Sequence, residues 1–309
     1  MDQATALRNL IKANSVNNTN ASGTAGTPNT SSRPVARVIT VTSGKGGVGK
    51  SNTSINLAIQ FRKLGQRVII LDADFGLANI EIMFGAVPKH NLCDLIYQGK
   101  SIREIITWGP MEVGFISGGS GIAGMSNLSR DYLTYIIQNL AELDAIADII
   151  IVDTGAGISD AVLEFLVASG EILLVTTPEP TSITDSYSLL KALNRHDRFD
   201  RNYSKIKVIA NKVDSGAEGQ ALFNKLNAVV NRYLHLPISY LGSVPQDNQL
   251  VKAVMQQAPV SLQHPNAKAS VAYEQIAGKL MNLEPEKLNK RGMAAFFSHI
   301  VTTAKKSQA

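Results

Sequence analysis

Residues 44–51 read Gly-Lys-Gly-Gly-Val-Gly-Lys-Ser, between an apolar run from Arg37 to Val41 and a helical pattern that begins at Ser51. Strand, glycine loop and helix in that order make a place for a phosphate. Gly44, Gly46, Gly47 and Gly49 let successive backbone N–H groups turn inward around an anion, at the positive end of the helix that follows. In the full GxxxxGK[ST] pattern, Lys50 reaches the β and γ phosphates and the Ser51 hydroxyl holds Mg²⁺. Lys45, Val48 and Asn52 complete the stretch read as nucleotide-binding. Asp72 and Asp74 sit at the end of a second apolar run, where open α/β sheets bind ligands outside the carboxyl ends of their strands. Asp153 ends a third run, Ile149-Ile150-Ile151-Val152, the arrangement that sets one aspartate on Mg²⁺ directly or through water. The Gly155-Ala156-Gly157 segment after it is expected to move when a γ-phosphate is present. Asn211-Lys212-Val213-Asp214 matches the NKxD string with which GTPases read guanine, so these residues alone point to GTP.

Positioning such a site requires a sheet, and the chain supplies one. Val/Ile-rich runs near 37–42, 67–72, 111–117, 147–153, 171–177, 204–210 and 238–244 predict strands. Helical patterns are read near 51–64, 129–143, 159–169, 181–196, 217–233, 246–257 and 267–282. The strand runs are nearly continuous in apolar residues, as strands covered on both faces should be. The expected fold is α/β, a three-layer, mainly parallel sheet with helices on both faces, over residues 35–284.

Both ends of the chain differ from this body. Residues 1–13 carry a short helical candidate, with Ala4, Leu7, Leu10 and Ile11 at helical spacing. Residues 14–34 are rich in Asn, Ser, Thr and Gly and read as a flexible linker. Residues 285–309 read as a terminal helix and tail, starting at Pro285, a good first-turn residue. Met293, Phe296, Phe297, Ile300 and Val301 fall on one apolar face of that helix. Such a face can lie in a membrane interface or dock on a protein surface.

Composition narrows the class. The chain has 309 residues, 44% of them apolar, enough for one large α/β domain with peripheral segments. No apolar stretch approaches the roughly 20 residues that span a bilayer, and no basic-then-apolar signal pattern opens the sequence; a cytoplasmic location is expected. Cys93 is the one cysteine, which excludes an intrachain disulfide and a cysteine-pair metal site. Of 30 basic residues, Lys287, Lys290, Arg291, Lys305 and Lys306 lie in 287–309, which holds no carboxylate; the remaining 25 balance the 25 acidic residues. A neutral body argues against a surface that coats DNA, which needs phosphate-neutralising charge.

With Lys45, the loop reads KGGxGK[ST] and resembles the deviant Walker A motif of the MinD/ParA ATPase family. Asp72-Ala73-Asp74-Phe75-Gly76-Leu77-Ala78-Asn79 is similar to that family's switch I, and the motif order of loop, switch I and Walker B is the family's order. The resemblance implies that Lys45 crosses a dimer interface to the partner's nucleotide and that Asp74 positions the attacking water. It further implies that Asp72 lies near the Mg²⁺ water shell and that ATP is the substrate. Asn211 would then touch adenine, beside Pro245 and Gln246 in a base-side VPxD-like loop, leaving Asp214 as a turn or helix-capping residue. Iron–sulfur-carrying members of the superfamily are set aside by the lack of cysteine ligands. Asp2, Gln3, Ala4, Leu7 and Arg8 match the DQAxxLR motif of the flagellar-number regulators of the FlhG/FleN/YlxH group. That match implies a segment that stimulates the GTPase FlhF, with flagellar switch-complex proteins and a flagellar master transcription activator as further partners. The MinD/ParA resemblance implies an ATP-dependent homodimer and reversible contact with an anionic membrane surface on the cytoplasmic side, at the cell pole in polar flagellates, while the neutral body leads us to expect no direct DNA binding. Septum-placing and DNA-partition ATPases of the same fold are the alternatives.

Overall fold

The structure, a computed structural model, describes residues 35–74, 79–118, 137–282 and 292–301. Its strands are β1 (Arg37–Ser43), β2 (Val68–Ala73), β3 (Thr107–Trp108), β4 (Gly114–Ser117), β5 (Ile149–Ala156), β6 (Glu171–Thr176), β7 (Lys205–Val213) and β8 (Ile238–Pro245). They form one sheet in the order β3-β4-β2-β5-β1-β6-β7-β8. Every pairing is parallel except β3 with β4. The order reverses at β1, whose neighbours are β5 and β6. A crevice at the carboxyl ends of the strands, beside β1, is the expected ligand position in such a sheet.

Alternate residues of each strand go to opposite faces. Val68 and Ile70 join Val41, Ile149 and Leu173 on one face, beneath α1 (Lys50–Lys63) and, further along the chain, the helix Lys268–Met281. Ile69 and Leu71 join Ile150 and Val152 on the other. That second face is covered by α2 (Asp160–Ala168) near β5. Two more helices, α3 (Pro180–Arg195) and α4 (Gly216–Leu234), pack on β6 and β7.

All seven expected strands are present. The run expected over 111–117 begins only at Gly114, because Pro110–Glu112 forms a 3₁₀ turn with Met111 and Glu112 at φ of 55° and 57°. The two-residue edge strand β3 and the short helices Asn79–Phe84, Leu92–Gln98, Ile102–Ile105 and Val260–Gln263 were not anticipated, since none is long enough to show a period. The helix expected over 129–143 falls largely outside the described residues, within which 137–141 are helical. The expected activator segment over 1–13 and the linker over 14–34 also lie outside them.

Of the expected terminal helix, the described part is α5 (Gly292–Val301). It does not stand clear of the domain. Met293, Phe296 and Phe297 are buried on the second face of the sheet, with Ile300 packed beside them. Phe165 of α2 stacks on Phe296 at 6.0 Å and meets Phe297 edge-on at 6.5 Å. The docked arrangement, rather than a free membrane-facing one, is what this structure contains. The physical reason is the large apolar surface of α2 and β5 that would otherwise face water, each buried Phe contributing roughly 2 kcal/mol. Polar contacts fix both ends of α5. The Met293 N–H donates to Asp144 Oδ1 at 3.0 Å, and Arg198 donates to the His299 carbonyl at 2.7 Å while pairing with Glu164.

Candidate nucleotide site

β1 ends at Ser43, and the chain passes so close to α3 that a Cβ on Gly44 would lie 2.2 Å from the Asp185 carbonyl carbon. Gly49 has φ of 94°, and its Cβ would lie 2.2 Å from Asn211 Nδ2. Glycine is required at both positions. Gly49 is also the residue that starts α1, with no capping side chain and no acidic residue in the first turn. That leaves the positive end of α1 with N–H groups for an anion. Gly46 and Gly47 are open to solvent on the Cβ side, and Ser51 and Asn52 are half-buried in the first turn.

Beneath the loop lies a cluster of buried charge. Lys50 Nζ is 3.4 Å from Asp153 Oδ1, and the Ser54 hydroxyl donates to the same oxygen at 2.8 Å. Asp153 Oδ2 is buried and has no hydrogen-bond partner. Asp72 stands opposite Asp153 in the β2/β5 register. Burial first, and then the charge of Asp153, push the Asp72 carboxyl up to about 7, against N–H donation from Asp74 and Ile80 and the charge of Lys50. Two adjacent buried carboxylates thus share one lysine, and one oxygen is left without a donor. A divalent cation fits that donor set: Mg²⁺ is held by one or two carboxylates plus substrate phosphates rather than by an all-protein cage.

Asp74 is half-buried, its N–H donating to Asp72 Oδ1 at 3.1 Å, and its carboxylate lies against Gly155, 3.7 Å from where a Cβ there would be. The end of β2 and the end of β5 therefore meet over the loop. β5 runs to Ala156, three residues past Asp153. Gly157, at φ of 93°, then ties back to the Ser43 carbonyl at 2.9 Å.

Lys45 points elsewhere. Its ammonium donates to Glu179 at 2.8 Å and to Thr181 at 2.9 Å, at the start of α3. On the base side, Asn211 is buried and its amide nitrogen is taken by the Val48 carbonyl at 2.7 Å, leaving Oδ1 as its unpartnered atom. Pro245 ends β8 and the Gln246 N–H donates to Val213 at 2.9 Å. Gln246 lines a cleft of about 820 Å³ with Asp214, Asp247 and His264, among others; Asn211 does not reach it. Capping of α4 belongs to Ser215, whose side chain accepts from the Glu218 N–H, and not to Asp214. Sequence reasoning gave no role to Ser54, Glu179 or Lys212. Ser54 left a trace in standing one helical turn after Lys50 on the same face, and Lys212 in being the lysine of the NKxD string; Glu179 left none.

A sheet reversing at β1, a glycine loop entering a helix, and two strand-end aspartates beneath it define a P-loop nucleotide-binding fold. The family model described as "ParA: NUBPL iron-transfer P-loop NTPase" matches residues 34–281. The chain belongs to the ParA/MinD family of P-loop NTPases. It is 42% identical to the antiactivator FleN of Pseudomonas aeruginosa, over 84% of this chain and 91% of that protein. It is 35% identical to the flagellum site-determining protein YlxH of Helicobacter pylori, over 86% of this chain and 90% of that protein. Among solved structures, MinD of Pyrococcus horikoshii complexed with Mg-ADP superposes with a TM-score of 0.62 at 20% identity, over 82% of this chain and 99% of that one; that likeness shows the fold alone. The iron-transfer description belongs to the family model, and Cys93 remains the one cysteine in this sequence.

Proposed function

We propose that the chain is an ATP-dependent, dimerising switch ATPase that regulates flagellar number and placement. The observation that carries the nucleotide chemistry is the unpartnered Asp153 Oδ2 beside Lys50, at the foot of the glycine loop. The similarity to FleN and YlxH supports the cellular role.

The residues divide the work as follows. N–H groups of Gly46 to Ser51 receive the phosphates, and Lys50 turns from Asp153 toward them. Ser51 and Asp153, with Asp72 behind, would hold Mg²⁺, which when bound neutralises charge on the β- and γ-phosphate oxygens. Asp74 orients the attacking water. Lys45 leaves Glu179 and completes the site of a second copy. Asn211 Oδ1 accepts from the adenine amino group, with Pro245 and Gln246 at the base side. Closure of the dimer frees α5, so that Met293, Phe296, Phe297, Ile300 and Val301, flanked by Lys290, Arg291, Lys305 and Lys306, meet an anionic membrane surface. Residues 1–13, through Asp2, Gln3, Ala4, Leu7 and Arg8, stimulate FlhF, on a tether over 14–34.

Two measurements test this reading. In a flagellated bacterium lacking the chain, wild type should restore the normal flagellar count and Asp74→Ala should not, although the purified Asp74→Ala protein still binds ATP. Normal counts without the chain would sink the cellular role, and absence of ATP turnover by wild type would sink the enzymatic one.

A further inference from the structure

The phosphate loop owes its shape to side chains that come from far away in the sequence. Four of the carbonyls over residues 44–49 have side-chain donors. Ser43 donates to the Lys45 carbonyl at 2.9 Å, and Thr53 to the Gly49 carbonyl at 2.9 Å. These two are local. The other two come from the end of β7: Lys212 Nζ donates to the Gly47 carbonyl at 2.8 Å, and Asn211 Nδ2 to the Val48 carbonyl at 2.7 Å. In a planar trans peptide the carbonyl of one residue and the N–H of the next point in opposite directions. Holding the Gly47 and Val48 carbonyls on the β7 side therefore directs the Val48 and Gly49 N–H groups to the other side, where an anion is cradled.

β7 is bent to make this reach. Its register with β8 shifts between Asn211 and Val213. Lys212 in the shift has φ of 57°, one of five non-glycine residues at positive φ among the described residues. A bulge of this kind re-aims a side chain, and backbone strain of this kind is retained where the surroundings depend on it. A lysine meant only for solvent needs neither.

We propose that Lys212, seconded by Asn211, is a positioning residue that sets the phosphate loop in its anion-binding conformation before nucleotide arrives. This rests on the nucleotide-binding reading above and deepens it. The role is indirect: Lys212 acts on the loop's carbonyl, and the loop's N–H groups act on the phosphates. Loss of the ammonium should weaken ADP and ATP by the same factor, because both use the same cradle.

The test is a set of binding isotherms for ADP and ATP on full-length wild type, Lys212→Met, Lys212→Gly and Lys212→Arg, with a thermal midpoint for each. Lys212→Met should raise both dissociation constants about tenfold, as expected for one charge-assisted hydrogen bond. The maximal turnover rate should stay within about twofold, since the chemistry at saturation is untouched. Lys212→Gly relieves the positive φ and should bind as poorly as Lys212→Met, while Lys212→Arg keeps a donor and should rescue most of the affinity. Wild-type affinity in Lys212→Met and Lys212→Gly overturns the inference. So does a loss for ATP without a loss for ADP, which would make Lys212 a direct γ-phosphate contact. Failure of wild type itself to bind either nucleotide would instead overturn the nucleotide reading.

Discussion

The phosphate loop and the terminal helix α5 are held to the same domain by opposite means. In the loop only Val48 contributes a buried apolar side chain, and the backbone is fixed by hydrogen bonds from Ser43, Thr53, Asn211 and Lys212. α5 is fixed by Met293, Phe296 and Phe297, with polar contacts from Asp144 and Arg198 at its two ends. Hydrogen bonds are directional and set atoms to within tenths of an ångström, whereas apolar burial is non-directional and satisfied by any apolar surface. The loop is thus built for one geometry. The helix is held by contacts that are indifferent to the direction of the surface supplying them.

Breaking the loop side of that contrast should give the largest effect. Lys50 and Asp153 are a buried pair, 7% and 0% exposed. Lys50→Ala leaves Asp153 and Asp72 buried together without a cation, which should destabilise the fold by about 3 kcal/mol. Nucleotide affinity should fall about 100-fold with the lost charge-assisted contact. Urea unfolding and a nucleotide isotherm read both numbers. A variant that unfolds like wild type would mean that the two aspartates are neutralised by some other group.

The helix side should respond less. Phe296→Ala in a rigid core would cost about 3–5 kcal/mol. If α5 detaches instead of lining a cavity, about 2 kcal/mol is expected by thermal unfolding. Asp144→Ala removes the acceptor at the helix start and should cost about 1 kcal/mol. Phe296→Glu, set beside Asp144→Ala, tests the apolar face itself. Asp144→Ala loosens α5 without altering its apolar face and should increase sedimentation with anionic liposomes, while Phe296→Glu should decrease it. Equal sedimentation by both would show that the face of α5 serves no second surface.

The same contrast governs how much could be read before any coordinates. Asp72, Asp153 and the loop glycines announce themselves because phosphate and cation chemistry restrict residue type at fixed spacing. All seven long strands were legible because burial on both faces demands continuous apolar runs. The face of α5 was legible as apolar, but its occupant was not: hydrophobic periodicity records that a surface is covered and carries no record of by what. Nor could spacing reveal that Lys212 folds back on Gly47, or that Asn211 spends its amide on Val48, since such contacts join residues more than 160 positions apart. Edge strand β3 escaped notice because two residues cannot display a period.

The smallest effect on the isolated subunit should come from Lys45, the residue proposed above to act between subunits. Lys45 bonds Glu179 and Thr181 in its own chain, but its side chain is 38% exposed and that of Glu179 is 57% exposed. The pair draws the Glu179 carboxyl below its ordinary range, chiefly through the hydrogen bond from Lys45. Exposed pairs of this kind are screened by solvent, so Lys45→Ala should shift the thermal midpoint of the monomer very little. It should also leave monomeric ATP binding largely intact, because Lys45 does not join the loop bonds that orient the N–H groups. If Lys45 reaches the nucleotide of a second copy, the ATP-dependent dimer should disappear, and light scattering in ATP should give a monomer mass. Glu179→Gln sharpens the comparison. It weakens the partner that holds Lys45 at home, and if Glu179 does nothing else it should preserve or strengthen the dimer while Lys45→Ala abolishes it. A Lys45→Ala protein that dimerises like wild type would leave Lys45 as an ordinary surface partner of Glu179. It would also confine the reach of the phosphate loop to its own subunit.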